Sequence, residues 1–398
     1  MAVASPALVA LAAVAGLFMA WSLGANSNSP PFAPAVGANA VPTMRAAFLI
    51  GVFAALGALT QGGSISETVG TGLVRGVTLS PLAASAGLLT AAAFMTVGVY
   101  SGYPIPAAFA TSGAVVGVGL SLGGTPAWDT YRRLGLFWLA VPFMSGGIAY
   151  LTAKLLRRDD VPDAVGVPLL AGLVAGILAN VSLGVIPSPG PQGTVAGFVA
   201  RLLGGPTVGG VGVVEGLTTL AFAAGGFVAI RRRMRRSVDA GIRWFLLALG
   251  SVVAFSSGGS QVGLATGPLE TLVRVELGLP GIVLLALGAT GILAGAWMGA
   301  PRLLQATSRE YAQLGLRRSI AALVPGFVIA QLAIALGIPI SFNNIIISGV
   351  IGGGLAGGSA GVSRSKIGWT VAFWLITLVS STAVGFALYR AFAAVLGG

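Results

Sequence analysis

Apolar residues fall in long runs along this chain, and polar residues gather at the ends of the runs and at a few points inside them. A membrane-spanning helix needs about 20 mostly apolar residues. Runs of this kind lie near 3–24, 45–61, 82–100, 104–122, 134–153, 166–187, 207–230, 242–263, 279–299, 319–337, 342–360 and 367–393. The pattern predicts an all-α, polytopic membrane protein of about 12 helical segments. The first run lacks the basic residues that open a signal peptide and is read as a helix.

Several runs are interrupted. Gly102-Tyr103-Pro104-Ile105-Pro106 splits 82–122, and Gly337-Ile338-Pro339-Ile340-Ser341 splits 319–360. Ser256-Ser257-Gly258-Gly259-Ser260 cuts another run short. Each break frees backbone N–H and C=O groups, which must be buried in protein or line a wet cavity. The two split segments are therefore either double crossings or re-entrant hairpins.

The breaks recur in order. Gly24-Ala25-Asn26-Ser27 ends a run, Ala35-Val36-Gly37 follows, then the Gly102 break and a glycine-rich stretch from Gly113 to Leu120. In the second half, Gly258-Gly259-Ser260-Gln261 is followed by Gly267-Pro268-Leu269, the Gly337 break and a glycine-rich stretch from Gly349 to Leu355. The order divides the chain into a first repeat at 1–154, connecting helices with a basic loop at 155–240, and a second repeat at 241–398.

Composition narrows the class. Only 8% of the 398 residues are charged and 56% are hydrophobic, against about 25% charged in soluble proteins. A soluble globular enzyme and a disordered chain are both excluded. With no Cys and no His, disulfides, zinc, haem, iron–sulfur sites and His-based catalysis fall away. Neither clustered acids nor a P-loop is present, so no enzyme activity, metal or cofactor is expected.

Charge sets orientation. Of 22 Lys and Arg residues against 10 Asp and Glu, 16 fall on one side of the predicted topology: Arg45, Lys154, Arg157, Arg158, the run Arg231–Arg236, Arg243, Arg302, Arg309, Arg317, Arg318, Arg364 and Lys366. The positive-inside rule assigns that side to the cytoplasm of a cell membrane, with both termini outside. The net charge of +12 is then a matter of topology and lipid contact, and no nucleic-acid partner is expected. The halves enter from opposite sides. Inverted repeats with paired broken helices are the pattern of secondary transporters, with substrate near the midplane. Glycine-rich faces would also permit a homodimer. Trp138, Trp244 and Trp369 read as interfacial anchors.

These breaks resemble those of the inorganic phosphate transporter family, the sodium- or proton-coupled phosphate permeases. The family motif Gly-Ala-Asn-Asp-Val-Ala-Asn is matched by Gly24-Ala25-Asn26, continuing through Phe32, Ala35-Val36-Gly37 and Ser66-Glu67-Thr68. Phe255 to Leu269 is similar to its second copy. Gly337-Ile338-Pro339-Ile340-Ser341 resembles the later Gly-Leu-Pro-Val-Ser-Thr motif, and Pro104-Ile105-Pro106 does so more weakly. The chain also departs from the pattern. Ser27 and Gln261 stand where the motif has Asp, Pro30 and Leu264 where it has its later Asn, Ser260 at the second copy's first Asn, and Ala54 at an acidic position.

The resemblance implies a secondary transporter of inorganic phosphate or a similar oxyanion, a small inorganic anion moved across the bilayer by alternating access. The motif's Asp residues support cation binding, so their replacement leaves the coupling ion open between Na+ and H+. An uncoupled relative is the alternative: a permease for sulfate or another solute, or a non-transporting sensor.

An oxyanion that sheds water needs replacement donors, and the N-terminus of a broken helix supplies free N–H groups and partial positive charge. The candidate substrate residues are Asn26, Ser27, Asn28 and Ser29 at the first break, Ser256, Ser257, Ser260 and Gln261 at the second, and Ser341, Asn343 and Asn344 after Pro339. Thr111 and Ser112 after Pro106 complete the set. The candidates for the coupling ion are Ser27, Gln261, Glu67 and Glu215, the last being the only acid inside the run 207–230.

Overall fold

A computed structural model of the chain describes residues 5–396, apart from 63, 159–160, 189–192, 209, 312–313 and 359–361. The helices are α1 (Pro6–Asn26), α2 (Ala33–Gly37), α3 (Thr43–Gln61), α4 (Ser64–Thr71), α5 (Pro81–Ser101), α6 (Ala107–Ser121), α7 (Trp128–Leu155) and α8 (Asp163–Ala179). They continue with α9 (Val195–Leu203), α10 (Val213–Met234), α11 (Val238–Thr266), α12 (Ile282–Met298), α13 (Ala300–Glu310), α14 (Leu316–Ala335), α15 (Phe342–Leu355) and α16 (Arg364–Leu396). Every apolar run of the sequence falls on one of them. Among the described residues, eight helices are long and apolar enough to cross a membrane, and the pair α12–α13, bent by 61°, makes a ninth.

Some boundaries differ from the sequence pattern. The run expected to reach 187 stops at Ala179, where the Asn180 side chain turns back to the Gly176 carbonyl at 3.0 Å. The run from 207 becomes helical only at Val213, because two short strands, β3 (Thr207–Val208) and β4 (Val211–Gly212), precede it. Helix α10 instead extends through Arg231–Arg233, where cations face the negative end of the helix dipole. Helix α13, apolar on one side only, was not among the expected runs.

Both split segments are helical hairpins that turn back at their breaks. Strand β1 (Val74–Arg75), before α5, pairs with β2 (Thr125–Pro126), after α6. The α5–α6 hairpin therefore begins and ends at one end of the molecule. In the α14–α15 hairpin, Gly357 after α15 lies against the Arg318 guanidinium near the start of α14. Helix α7 connects the two open ends: it starts beside β2 and finishes where Arg157 donates to the Ala356 carbonyl at 2.6 Å. Its 28 residues span about 42 Å at 1.5 Å per residue. The hairpins thus enter from opposite ends, and α14–α15 opens at the end rich in arginine.

The two tips share a local cause. Helix α5 ends on Gly102 at φ 72° and α14 on Gly337 at φ 61°. Glycine adopts this left-handed conformation without a Cβ penalty, and the proline two residues later bars the helix from continuing.

The halves pack by exchange. Helix α1 lies on α12 and α11 lies on α3. Contacts of Gly16 with Leu287 and of Gly24 with Ile292 make α1 and α12 parallel. Contacts of Gly51 with Leu293 and of Gly62 with Leu285 make α3 antiparallel to α12, while Gly57 with Phe255 and Gly62 with Val262 make α3 parallel to α11. Helices α1 and α11, the first of each half, therefore run in opposite directions.

Candidate functional site

Three chain breaks, the C-terminus of α1 and both hairpin tips, meet against the side of α11, which runs unbroken from Val238 to Thr266. The Ser256–Gln261 stretch expected to cut this run short is helical throughout, its small residues packing closely on α3. The Asn343 amide, in the first turn of α15, donates to Asn26 Oδ1 at 2.7 Å and to the Ile105 carbonyl at 2.6 Å. Asn26 in turn donates to the Met95 carbonyl at 2.9 Å. Asn343 thereby ties α1 and one hairpin tip to the other. From the opposite half, Gln261 on α11 donates to the Ile340 carbonyl at 2.9 Å, and Ser257 donates to Asn28 Oδ1.

All thirteen substrate candidates are at most 3% exposed, and most keep a polar atom without a protein partner. These atoms are the hydroxyls of Ser27, Thr111, Ser112, Ser260 and Ser341, the Asn28 amide nitrogen, and the amide oxygens of Gln261, Asn343 and Asn344. A buried, unsatisfied polar group costs about 1–3 kcal/mol, so a cluster of them in an apolar protein calls for an occupant. Ser29 and Ser256 instead bond back within their own helical turns, to the Ala25 and Val252 carbonyls.

Two helices begin here without side-chain caps: α6 after Pro106 and α15 after Ser341. The first N–H groups of a helix have no partner within it, and with the dipole they form an anion site. Hydroxyls, amide nitrogens and helix N-termini suit an oxyanion, and neutral amide and hydroxyl oxygens suit a hard cation.

Not every candidate joins the centre. Ser112 lines a separate, largely apolar cavity with Tyr131, Trp138 and Thr382, between α6, α7 and α16. Thr111, one residue earlier on α6, is fully buried. Glu215 is in the first turn of α10, half-buried beside Gly197 of α9, and α10 packs on α8, α9 and α11, away from the hairpin tips. An acid at that position is stabilised by the helix N-terminus, which is how an apolar run tolerates it. The side chain of Glu67 lies outside the described residues. Its helix α4 does reach the centre, since Thr68 donates to the Gly337 carbonyl at 2.8 Å and the Ser66 and Thr266 hydroxyls are 3.1 Å apart.

Gln61, Gln331 and Trp138 belong to this architecture but lie outside the set expected from the sequence. Gln331 donates to Ser256 Oγ at 2.6 Å and accepts from Gln61 at 3.4 Å, and Gln61 also donates to the Ser182 carbonyl at 3.1 Å. A lone amide in the middle of an apolar run was the available signal for Gln331. Trp138, expected as an interfacial anchor, donates to the Pro339 carbonyl at 2.8 Å and so braces a hairpin tip. Trp244 and Trp369 are more than half exposed. Gln331→Leu should cut solute uptake about tenfold at unchanged expression, because it removes the bonds that join Ser256 and Gln61 through α14 and leaves Ser256 only its own-turn bond and Gln61 only the Ser182 carbonyl. Initial uptake rates normalised to reconstituted protein measure this.

This is the site of a membrane protein built from two opposed halves around a buried polar centre. The profile of the phosphate transporter family matches residues 23–385, and the chain belongs to that family. A candidate phosphate permease of Chlamydia muridarum is 24% identical, with 96% of this chain and 99% of the relative covered. One from Thermococcus kodakarensis is also 24% identical, covering 98% of each. The chloroplastic inorganic phosphate transporter 2-1 of Arabidopsis thaliana is 24% identical over 91% of this chain and 68% of its own length. Among solved structures, a sodium-dependent phosphate transporter shares the fold, with a TM-score of 0.83 at 23% identity over 98% of this chain and all of the other.

Proposed function

We propose that this protein is a secondary transporter that moves inorganic phosphate, or an oxyanion of similar shape, across a cell membrane by alternating access. The observation that carries the reading is the meeting of two uncapped helix N-termini with unpartnered hydroxyls and amides at the contact between oppositely inserted hairpins. Residues 1–154 and 241–398 act as the inverted repeats. The arginine-rich end faces the cytoplasm, by the positive-inside rule.

The coupling ion is Na+. A coupled proton needs a titratable side chain, and the described members of the cluster include none. Sodium needs only oxygens, and Ser27 Oγ and Gln261 Oε1 stand unpartnered at the positions where the resemblance places Asp. Neutral ligands in place of carboxylates bind the cation more weakly, so the sodium dependence should saturate only at high concentration. Glu67 is the acid through which proton coupling would run.

The test is uptake of phosphate into proteoliposomes under an imposed sodium gradient, a proton gradient, or neither, with sulfate as competitor. Saturable uptake driven by sodium, and retained in Glu67→Gln, is the expected result. Equal uptake with and without gradients would identify the second reading, an uncoupled permease, which the loss of both motif Asp residues favours. No uptake of phosphate, sulfate or related oxyanions under any condition would sink the transporter reading.

A further inference from the structure

We propose that a basin at the arginine-rich end is a second site for a phosphate-class anion, and that it is the waiting position on the cytoplasmic side of the transport route. The assignment of that role rests on the transport reading above. The basin is a cavity of about 570 Å³ between α2, α13 and α14. Val36 and Gly37 form one wall, Ser308 and Arg309 another, and Arg318 a third, with Asn39 at the rim. No carboxylate lines it among the described residues.

Two guanidinium groups converging on a cavity without an acid create a focused positive potential. Guanidinium pairs with phosphate oxygens through paired N–H donors. Helix α14 also begins at the basin on Gly315, which has no side chain to cap it, so its first N–H groups add donors of the same sign. An adjoining cavity of about 430 Å³ shares Gly315 and Arg318 and adds Arg157, Arg317 and the acid Asp239. There Arg317 is paired with Asp163 and Arg157 is held by the Ala356 carbonyl. Both add positive field to the basin.

The basin lies one thin layer from the central cluster. Gly37, Ser308 and Leu314 also border a void of about 10 Å³, whose deeper walls are Ala33, Pro34 and Val350. Ala33 and Pro34 follow closely on Asn26–Ser29, and Val350 is six residues beyond Asn344 on α15, about 9 Å at 1.5 Å per residue. A void of that size holds at most about one water, so the route is closed here. Ser319 donates to the Pro34 carbonyl at 3.0 Å across the layer. Gly37 packs so close to Ser308 that a Cβ would lie 2.6 Å from its carbonyl oxygen.

The absence of cysteine from the chain makes the test direct. Val36→Cys places a single thiol on the basin wall, and Ser308→Cys, on the opposite wall, serves if the first variant fails to fold. The protein is reconstituted in phosphatidylcholine vesicles, and its reaction with an impermeant thiol reagent is timed in chloride and in inorganic phosphate at equal ionic strength. Phosphate should slow the reaction about fivefold, an effect lost with Arg309→Gln and Arg318→Gln together and partly kept with both as Lys. In phosphatidylglycerol vesicles, slowing without added phosphate would show that a lipid headgroup supplies the same chemistry. Equal rates in chloride and phosphate in both lipids, or slowing that survives the double Gln variant, would overturn the proposal. Labelling does not require transport, so protection without uptake removes the transport reading alone, and uptake without protection removes the basin alone.

Discussion

Asn343→Ala is expected to lower phosphate uptake at least about thirtyfold in a protein that still folds and inserts. The Asn343 amide supplies the hydrogen bonds that reach Asn26 Oδ1 and the Ile105 carbonyl, and all three residues are buried at 0–3% exposure. Truncation strands two buried acceptors at about 1–3 kcal/mol each, together about 2–6 kcal/mol, or thirtyfold to above a thousandfold in the competent state. It also removes Asn343 Oδ1, one of the unpartnered oxygens of the cluster. Asn343→Asp keeps the shape but loses both donors and sets a negative charge beside the anion, so it should be at least as damaging. Uptake rates, read beside thermal unfolding followed by tryptophan fluorescence, separate lost function from lost fold. Uptake within about twofold of wild type in Asn343→Ala would remove this residue from the site.

Gly57→Ala should markedly destabilise the fold, whereas Gly225→Ala should be neutral or mildly stabilising. A Cβ on Gly57 would overlap the Phe255 carbonyl oxygen, and one on Gly258 would overlap Ala54. The other helix pair repeats the arrangement, with Gly295 against Trp21 and Gly24 against Ile292. The obstacle is backbone in each case, so no rotamer change relieves it, and the helices must separate. Overpacking of this kind costs about 1–3 kcal/mol or more, and the same helices carry Asn26 and Gln261. On α10, Gly225 has no neighbouring atom within 4 Å of a built Cβ, and alanine is better than glycine in a helix by about 1 kcal/mol. Yield of monodisperse protein in detergent and its Tm distinguish the two. Equal behaviour of the two variants would show that the close helix approach is not what holds the halves together.

The difference between these positions was not legible in the sequence. All 62 glycines look alike along the chain, and only the packing shows which face a backbone and which face open space. The same holds for Ser112 and Thr111, adjacent on α6, of which Ser112 turns into a separate apolar cavity. Glu215 stood out because an acid in an apolar run is rare, but it lies in the first turn of its helix, where local electrostatics account for it. Gln331 is a weak sequence signal that becomes a central one once Ser256 and Gln61 are seen on either side of it.

The sequence by itself determined the number and position of the apolar helices, because lipid demands continuous apolar length. It also determined the hairpin tips, because Gly followed by Pro two residues later imposes a left-handed turn and forbids a further helical turn at that place. These are local requirements, written in adjacent residues. Only the tertiary structure decided that both split segments turn back on themselves, that α1 lies along α12 and α3 along α11, and that Asn343 reaches Asn26 across 317 positions of sequence. Those contacts depend on which backbones approach closely and which amides face one another. Such distances arise between segments, and no run of neighbouring residues encodes them.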